Sequence, residues 1–314
     1  MRTFLALAAL AAASLTQAQD VGLLLGVGHK DGGESTVWVT KKGVATFARK
    51  VGDAFLVFGK DGITRVSTKG GTAQTGAREV HIVLPDGKEH VIKGEEGRPE
   101  TNYYVSFVSP FGIGLMQTMR REETDAQAIR GGFGGPGSRD YPSVYRNLAW
   151  NDFGAAVEVG HLFEVPVTRM FHDLGTKQRQ HGFGPLDAEA SPTNWTIVHQ
   201  DGDWVLHGRV LGQNAASDYP VATVTDPRLG AHAQKGPGWA RVRSEYPDAI
   251  DYVSSPDGRL TVVVTEGAVF VHESGGSTLG RRVQRAPVSA SRVVMTQWLE
   301  GEQLRNAAAA IAKL

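Results

Sequence analysis

The sequence contains no cysteine among its 314 residues, so neither disulfide bridges nor thiolate ligands can hold the fold together. It also lacks an excess of charge of either sign, because 33 lysines and arginines balance 33 aspartates and glutamates. This balance gives no reason to expect a nucleic acid as partner. The 41% content of hydrophobic residues and the 39 glycines predict a globular protein with a sizeable core and many tight turns.

Most catalytic sequence motifs are missing as well. The chain has no P-loop, no H-E-x-x-H, no EF-hand spacing and no G-x-S-x-G. Residues 132–137 fit the pattern G-x-G-x-x-G, but no strand pattern precedes them and Pro136 interrupts them. We interpret this run as a loop rather than as a dinucleotide site. No cofactor is therefore predicted, and a divalent metal ion is the alternative.

The N-terminal residues 1–18 have the three parts of a secretory signal peptide. Arg2 is followed by a small and apolar run at 4–15, and Thr16-Gln17-Ala18 suits the subsites of signal peptidase. The apolar run is shorter than the ~20 residues of a transmembrane helix, so we expect no membrane span. We predict cleavage after Ala18 and a secreted or periplasmic mature protein.

Turn signals occur throughout the chain. Asp-Gly, which tolerates the positive φ angles of a type I′ turn, occurs five times. Four of these dipeptides lie next to apolar segments of strand length, at Asp61-Gly62, Asp86-Gly87, Asp201-Gly202 and Asp257-Gly258. This pattern predicts a series of antiparallel β-hairpins.

The hairpin at Asp201-Gly202 is specific enough to predict its register. A two-residue turn places His199 opposite Trp204 and Ile197 opposite Leu206. Because side chains alternate between the two faces of a strand, these four share one face. We expect that face to belong to the core.

The same assumption at Asp86-Gly87 places Val83 opposite His90 and His81 opposite Ile92. The two histidines then become diagonal neighbours, roughly 7–8 Å apart. We interpret them as half-buried members of an apolar face. A metal site is the alternative, for which the sequence supplies no third ligand.

Short strands with turns between them, and no regular alternation of strands and helices, predict a predominantly antiparallel all-β fold. Residues 254–264 resemble the turn and inner strand of a β-propeller blade, and residues 292–298 are suited to begin another blade. We find no repeat of constant length, and such a repeat is what would identify a propeller from the sequence. The prediction is therefore a propeller-like fold, with a large sandwich or barrel as the alternative, in a single domain of residues 19–314.

Helical periodicity is confined to two segments. Residues 115–130 are partly amphipathic and precede the glycine-rich run, so we predict that 109–146 form a helix and a loop. Residues 302–314 predict a short C-terminal helix that docks on the domain. Its apolar face consists of Leu304, Ala308 and Ile311.

Residues 160–187 are rich in side chains that carry chemistry. His172, Asp173 and His181 are candidates to hold a divalent metal ion with an open position, as a hydrolytic zinc site requires, or to act as acid–base groups. The alternative is a polar surface loop. We favour the loop, because no nucleophile or oxyanion-stabilising group can be assigned beside these residues.

Together these features favour an exported β-rich binding or structural protein of the cell envelope or extracellular space. Its partner would be an unknown envelope or extracellular protein or glycan, contacted through loops on a rigid scaffold. The alternative is an exported metal-assisted hydrolase centred on residues 160–187. Convergence of His172, Asp173 and His181 in one pocket would distinguish the hydrolase from the binding protein.

Overall fold

A computed structural model describes most of the chain. The described residues are 20–71, 76–94, 100–120, 144–164, 169, 192–211, 216–229, 231–232 and 235–314. They contain five antiparallel sheets, arranged as the blades of a five-bladed β-propeller. The predicted all-β class and the propeller-like architecture are therefore confirmed, and the sandwich and barrel alternatives are not. Among these residues, no helix is long and apolar enough to cross a membrane.

The five blades follow one another along the chain. Blade one contains β1 (Val21–Gly28), β2 (Glu34–Lys42) and β3 (Ala45–Gly52), and blade two contains β4 (Phe55–Gly59), β5 (Gly62–Lys69), β6 (Glu79–Val83) and β7 (Glu89–Lys93). Blade three contains β8 (Glu100–Val108), β9 (Gly112–Arg120) and β10 (Val144–Ala149), and blade four contains β11 (Trp195–Gln200), β12 (Asp203–Leu211) and β13 (Ala216–Val224). Blade five contains β14 (Ala249–Ser254), β15 (Leu260–Thr265), β16 (Ala268–Gly275) and β17 (Thr278–Pro287).

The last strand of the chain, β18 (Arg292–Glu300), closes the ring by joining blade one. It pairs antiparallel with β1, so that Trp298 lies opposite Leu23. It also contacts β8 and β11, the first strands of blades three and four. The indole N–H of Trp204 donates a hydrogen bond to Thr296 Oγ1 at 2.9 Å, which ties β18 to blade four.

The core lies between neighbouring blades, and β1 shows how the sequence produces it. Successive side chains of a strand point to opposite faces. Leu23 and Leu25 therefore pack towards Val262 of blade five, whereas Leu24 packs towards Val66 of blade two. Both faces of β1 are buried, and this explains its nearly continuous apolar sequence.

The hairpin between β11 and β12 has the predicted register, with His199 opposite Trp204 and Ile197 opposite Leu206. All four residues are buried, so the predicted core face is confirmed. The turn adopts the expected positive φ angles, 54° at Asp201 and 95° at Gly202.

The register predicted for the hairpin between β6 and β7 is wrong by one residue. His90 lies opposite Ile82, and His81 lies opposite Val91. The loop has three residues rather than two, because the N–H of Leu84 bonds to the carbonyl of Lys88, while Gly87 has a φ of 84°.

A shift of one residue puts the two histidines on opposite faces of the hairpin. His81 bonds to the carboxylates of Glu79 and Glu89, and the ring of His90 lies 4.4 Å from the ring of Phe153. The pair therefore cannot share a metal ion.

The two predicted helices had different outcomes. Residues 115–120 belong to β9, so the helix predicted over 115–130 is wrong there, and residues 121–130 lie outside the described part of the chain. Pairing of β9 with strands on both sides overrides its local amphipathic pattern. The C-terminal helix is confirmed as α2 (Gly301–Ile311). A further short helix, α1 (Trp239–Glu245), was not predicted.

Candidate functional site

A cleft of about 540 Å³ lies beside the C-terminal ends of β4, β8 and β18, and we call it the α2 cleft. Its apolar and structural lining consists of Phe58, Gly59, Pro110, Pro227, Gln297 and Trp298. Its polar lining consists of Lys60, His232, Glu302, Gln303 and Asn306. This volume falls in the range of roughly 300–1,000 Å³ that is typical of small-molecule sites.

Helix α2 forms one wall of the cleft, and its amphipathic sequence determines which side chains face it. Gly301 has a φ of 53°, which allows β18 to turn directly into the helix. Leu304, Ala307 and Ile311 are buried against the core. Because helical neighbours recur every three to four residues, the opposite side presents polar residues to the cleft. These are Glu302, Gln303 and Asn306.

The floor of the cleft is fixed by Gln297, which is only 6% exposed. Its amide nitrogen donates to the carbonyl of Phe58 at 2.6 Å, and its amide oxygen accepts from the N–H of Phe58 at 2.9 Å. These two bonds join β18 to β4. These bonds engage both amide atoms of Gln297, so this residue shapes the floor of the cleft. The polar residues of the cleft lining are the ones available to a ligand.

The polar residues of the cleft combine opposite charges with neutral hydrogen-bonding groups. Lys60 is a basic residue and Glu302 an acidic one, so their formal charges cancel. Burial lowers the pKa of His232 below its usual value of 6.5, so this imidazole is neutral at pH 7. The cleft as a whole is therefore close to neutral, with amides that both donate and accept hydrogen bonds.

A buried histidine–carboxylate pair lies between blades four and five, outside the lining of the α2 cleft. His199 Nδ1 lies 2.7 Å from Asp251 Oδ2, and the two side chains are 0% and 3% exposed. Asp251 Oδ1 also accepts from the N–H groups of Gly202 and Tyr252. Among the residues that the structure describes, none bonds to the buried Nε2 atom of His199. The pair joins two blades, and because Nε2 is buried it does not present a base to a substrate.

A second buried acid, Glu34, lies beside a small cavity of about 30 Å³ that Arg292 and Tyr104 also line. Its carboxylate accepts hydrogen bonds from the N–H and the hydroxyl of Thr68. Burial raises the pKa of Glu34, and the bonds from Thr68 oppose that shift. The cavity has room for ordered water but not for an organic substrate.

The site residues predicted from the sequence, His172, Asp173 and His181, lie outside the described residues. Of the segment 160–187, the structure describes 160–164 and residue 169. There His161 is exposed at the end of a 3-10 turn formed by Val159–His161. In the described ranges of the chain, no group of three histidines or acids is suited to hold a metal ion.

Sequence reasoning missed the α2 cleft, because its lining comes from four separate segments of the chain, at 58–60, 110, 227–232 and 297–306. No motif connects Lys60 of the β4–β5 turn with His232 of the connection that follows β13. The polar side of α2 is the part of the cleft that the sequence could have predicted. It follows from the same periodicity that predicted the apolar face of the helix.

No protein-family model matches the chain, and no curated protein matches it. Among solved structures, a functionally unknown protein from Desulfotomaculum acetoxidans is 11% identical, over 85% of this chain and 70% of that chain, with a TM-score of 0.20. A protein from Lactobacillus plantarum is 10% identical, over 90% and 100%, with a TM-score of 0.27. Porphyromonas gingivalis dipeptidyl peptidase 4 is 9% identical, over 83% and 38%, with a TM-score of 0.24. TM-scores this low carry no argument about function.

Proposed function

We propose that this protein is an exported, non-catalytic binding protein whose α2 cleft holds a short, uncharged oligosaccharide of the cell envelope or extracellular space. The observation that supports this proposal is the lining of the cleft. Amide and charged groups line a volume of about 540 Å³ together with Phe58 and Trp298. A sugar presents hydroxyl groups that donate and accept hydrogen bonds, together with apolar C–H faces that pack on aromatic rings.

The charge of the cleft supports an uncharged ligand. Lys60 and Glu302 have charges of opposite sign, and His232 is neutral because burial lowers its pKa. A strongly acidic or basic ligand would lose its hydration without gaining a matching set of opposite charges. An uncharged polar ligand loses less hydration, and Gln303 and Asn306 supply both donors and acceptors to it.

The secretory pattern of residues 1–18 supports the setting of this proposal. An exported protein meets the glycans of the envelope and of the surrounding medium. A binding role also requires no nucleophile or metal ion. This agrees with the α2 cleft, whose titratable side chains are those of Lys60, His232 and Glu302.

The proposal is tested by titrating the mature chain with a panel of short, soluble, uncharged oligosaccharides while its tryptophan fluorescence is recorded. Trp298 lines the cleft, so we expect a saturable change with at least one member of the panel. Gln303→Ala and Asn306→Ala should each weaken that binding about two- to tenfold, because each removes a hydrogen bond worth about 0.5–1.5 kcal/mol.

Arg305→Ala is the matched control, because Arg305 is an exposed residue of α2 that does not line the cleft. It should bind as the wild type does. The proposal fails if no uncharged oligosaccharide gives a saturable signal. It also fails if Asn306→Ala and Arg305→Ala bind with the same affinity.

A further inference from the structure

The face of blade five that adjoins α1 carries two exposed arginines over one aromatic ring. The guanidinium carbon of Arg282 lies 5.5 Å from the ring centre of Phe270, and that of Arg285 lies 5.8 Å from it. Both arginines belong to β17, the outermost strand of the blade. These distances fall within the roughly 6 Å over which a cation interacts with an aromatic ring.

A β-bulge brings the two arginines together. Arg282 and Arg285 are three residues apart, so a regular strand would point them to opposite faces. The pairing of β16 with β17 shifts between Val271 and His272, so that Phe270 lies opposite Arg285 and His272 lies opposite Arg282. Phe270 and His272 share a face of β16, and the shift therefore places both arginines on that face.

Hydrogen bonds fix the side chains of His272 and Tyr246 beside Arg282. The Nδ1 atom of His272 lies 2.9 Å from the carbonyl oxygen of Gly280, so Nδ1 carries the proton and donates it. The neutral ring then accepts at Nε2 from the hydroxyl of Tyr246, at 2.8 Å. The charge of Arg282 acts on that same hydroxyl and opposes the rise that burial causes in the pKa of Tyr246. Arg282 itself is exposed.

The charge of this face is not compensated by its neighbours. Within the ranges that the structure describes, neither Arg282 nor Arg285 pairs with a carboxylate. The Glu273 carboxylate is engaged by Lys41 at 3.3 Å and by Arg281 at 3.4 Å. On α1, Glu245 pairs with Arg241, while Arg243 adds a further cation above the ring of Trp239. Glu245 and Asp248 both place negative charge near Tyr246, so the three arginines keep an excess of positive charge.

We propose that this face, where Arg282 and Arg285 flank Phe270, binds sulfate or phosphate groups of an anionic polysaccharide. The planar guanidinium group matches two oxygens of a sulfate or phosphate at once. Because the ring of Phe270 restrains both arginines beforehand, less side-chain freedom is lost on binding. This inference is independent of the ligand of the α2 cleft.

A polysaccharide fits this face better than a lipid surface or a nucleic acid does. Attachment to a lipid surface needs exposed apolar side chains beside the cations. The large apolar side chains exposed in the described structure are Val44, Phe47, Val91 and Leu314, all on other elements. Nucleic-acid binding usually draws on a broadly basic protein, whereas this chain has equal numbers of basic and acidic residues.

Binding to dextran sulfate, with uncharged dextran of the same length as reference, tests the proposal. We expect the mature chain to bind dextran sulfate more tightly than dextran, and less tightly as salt is raised. Any binding of dextran by the α2 cleft should be the same in the arginine variants as in wild type. Arg282→Gln and Arg285→Gln should each weaken binding about two- to fivefold, as expected for exposed charge pairs, and the double variant more than either. Arg285→Lys should fall between wild type and Arg285→Gln, because it keeps the charge but loses the planar fork.

Arg281→Gln is the matched control. It removes the same charge from the same strand, but Arg281 is directed to Glu273 on the other face. It should change the affinity less than twofold, and thermal unfolding should show that all variants are folded. The proposal is overturned if Arg281→Gln weakens binding of dextran sulfate as much as Arg285→Gln does, or if Arg285→Gln weakens binding of dextran and of dextran sulfate alike. It is also overturned if vesicles containing anionic phospholipid, or a DNA oligonucleotide, bind more tightly than dextran sulfate.

Discussion

His199 and Asp251 form a buried hydrogen-bonded pair, 2.7 Å apart, that links the second-last and last blades of the propeller. Asp251 also accepts hydrogen bonds from the backbone N–H groups of Gly202 and Tyr252. One carboxylate therefore stabilises the turn of the β11–β12 hairpin and the start of β14 together. Between blades that share no strand hydrogen bonds, such a side chain provides a directional link that apolar packing does not.

We expect Asp251→Ala to lower the free energy of unfolding by about 3–5 kcal/mol, because removing one partner of a buried pair leaves several polar groups unsatisfied. Denaturant unfolding of the purified variant measures this change. Asp201→Asn is the matched control, since Asp201 is exposed and asparagine tolerates its positive φ. That variant should stay within about 0.5 kcal/mol of wild type. Equal stability of the two variants would contradict the role assigned to Asp251.

The second prediction concerns Trp204, which is 3% exposed and bonds to Thr296. Trp204→Ala should cost about 3–5 kcal/mol through lost burial and the cavity that remains. Phe47→Ala removes another aromatic ring, but one that is 60% exposed, and should change stability by less than about 0.5 kcal/mol. Urea midpoints of both variants provide the comparison. A tolerated Trp204→Ala would show that this face is not a core.

Two hairpins show how much of the fold can be predicted from the sequence. The register of the β11–β12 hairpin was predictable, because Asp201-Gly202 specifies a two-residue turn and the period of two then assigns Trp204 to the core. At Asp86-Gly87 the same reasoning failed. There Pro85 precedes the dipeptide and suits the second position of a type I turn, which lengthens the loop by one residue. A turn motif therefore has to be read together with the residue before it.

The propeller itself was predicted only as one of several β architectures, because blade number depends on contacts that lie far apart in the sequence. The pairing of Leu23 with Trp298 joins the two ends of the described chain, and no local pattern specifies it. The α2 cleft and the arginine face were missed for a related reason. The bulge that aligns Arg282 with Arg285 is a property of the pairing of two strands, not of either strand alone.

The third prediction concerns pH. Burial lowers the pKa of His207 below its usual value of 6.5, and its Nε2 atom is buried without a partner in the described structure. The unfolded chain therefore binds a proton more readily than the folded chain does. As the pH falls below about 6.5, this histidine should favour unfolding, whereas above 6.5 its effect should be constant.

The variant His207→Leu isolates this effect, because it removes the titrating group and fills the site with an apolar side chain. Its stability relative to wild type should increase as the pH is lowered from 7.5 to 5, as measured by denaturant unfolding at each pH. His81→Leu provides a control of opposite sign. Hydrogen bonds that His81 donates to the carboxylates of Glu89 and Glu79 raise its pKa. Wild type should therefore become more stable relative to His81→Leu as the pH falls. A pH-independent difference for His207→Leu would contradict this account.

The last prediction concerns His172, Asp173 and His181, the candidates for a metal site in the hydrolase alternative. If the protein is a binding protein, calorimetric titration of the mature chain with zinc should reveal no stoichiometric site. His172→Ala and His181→Ala should then each lie within about 0.5 kcal/mol of wild type in stability. If the three side chains hold a metal ion instead, zinc should bind one to one, more weakly as the pH drops through about 6.5, because a protonated imidazole cannot donate its lone pair. Loss of such a complex in both variants would favour the hydrolase, because two histidines nine residues apart would then have to converge on one ion.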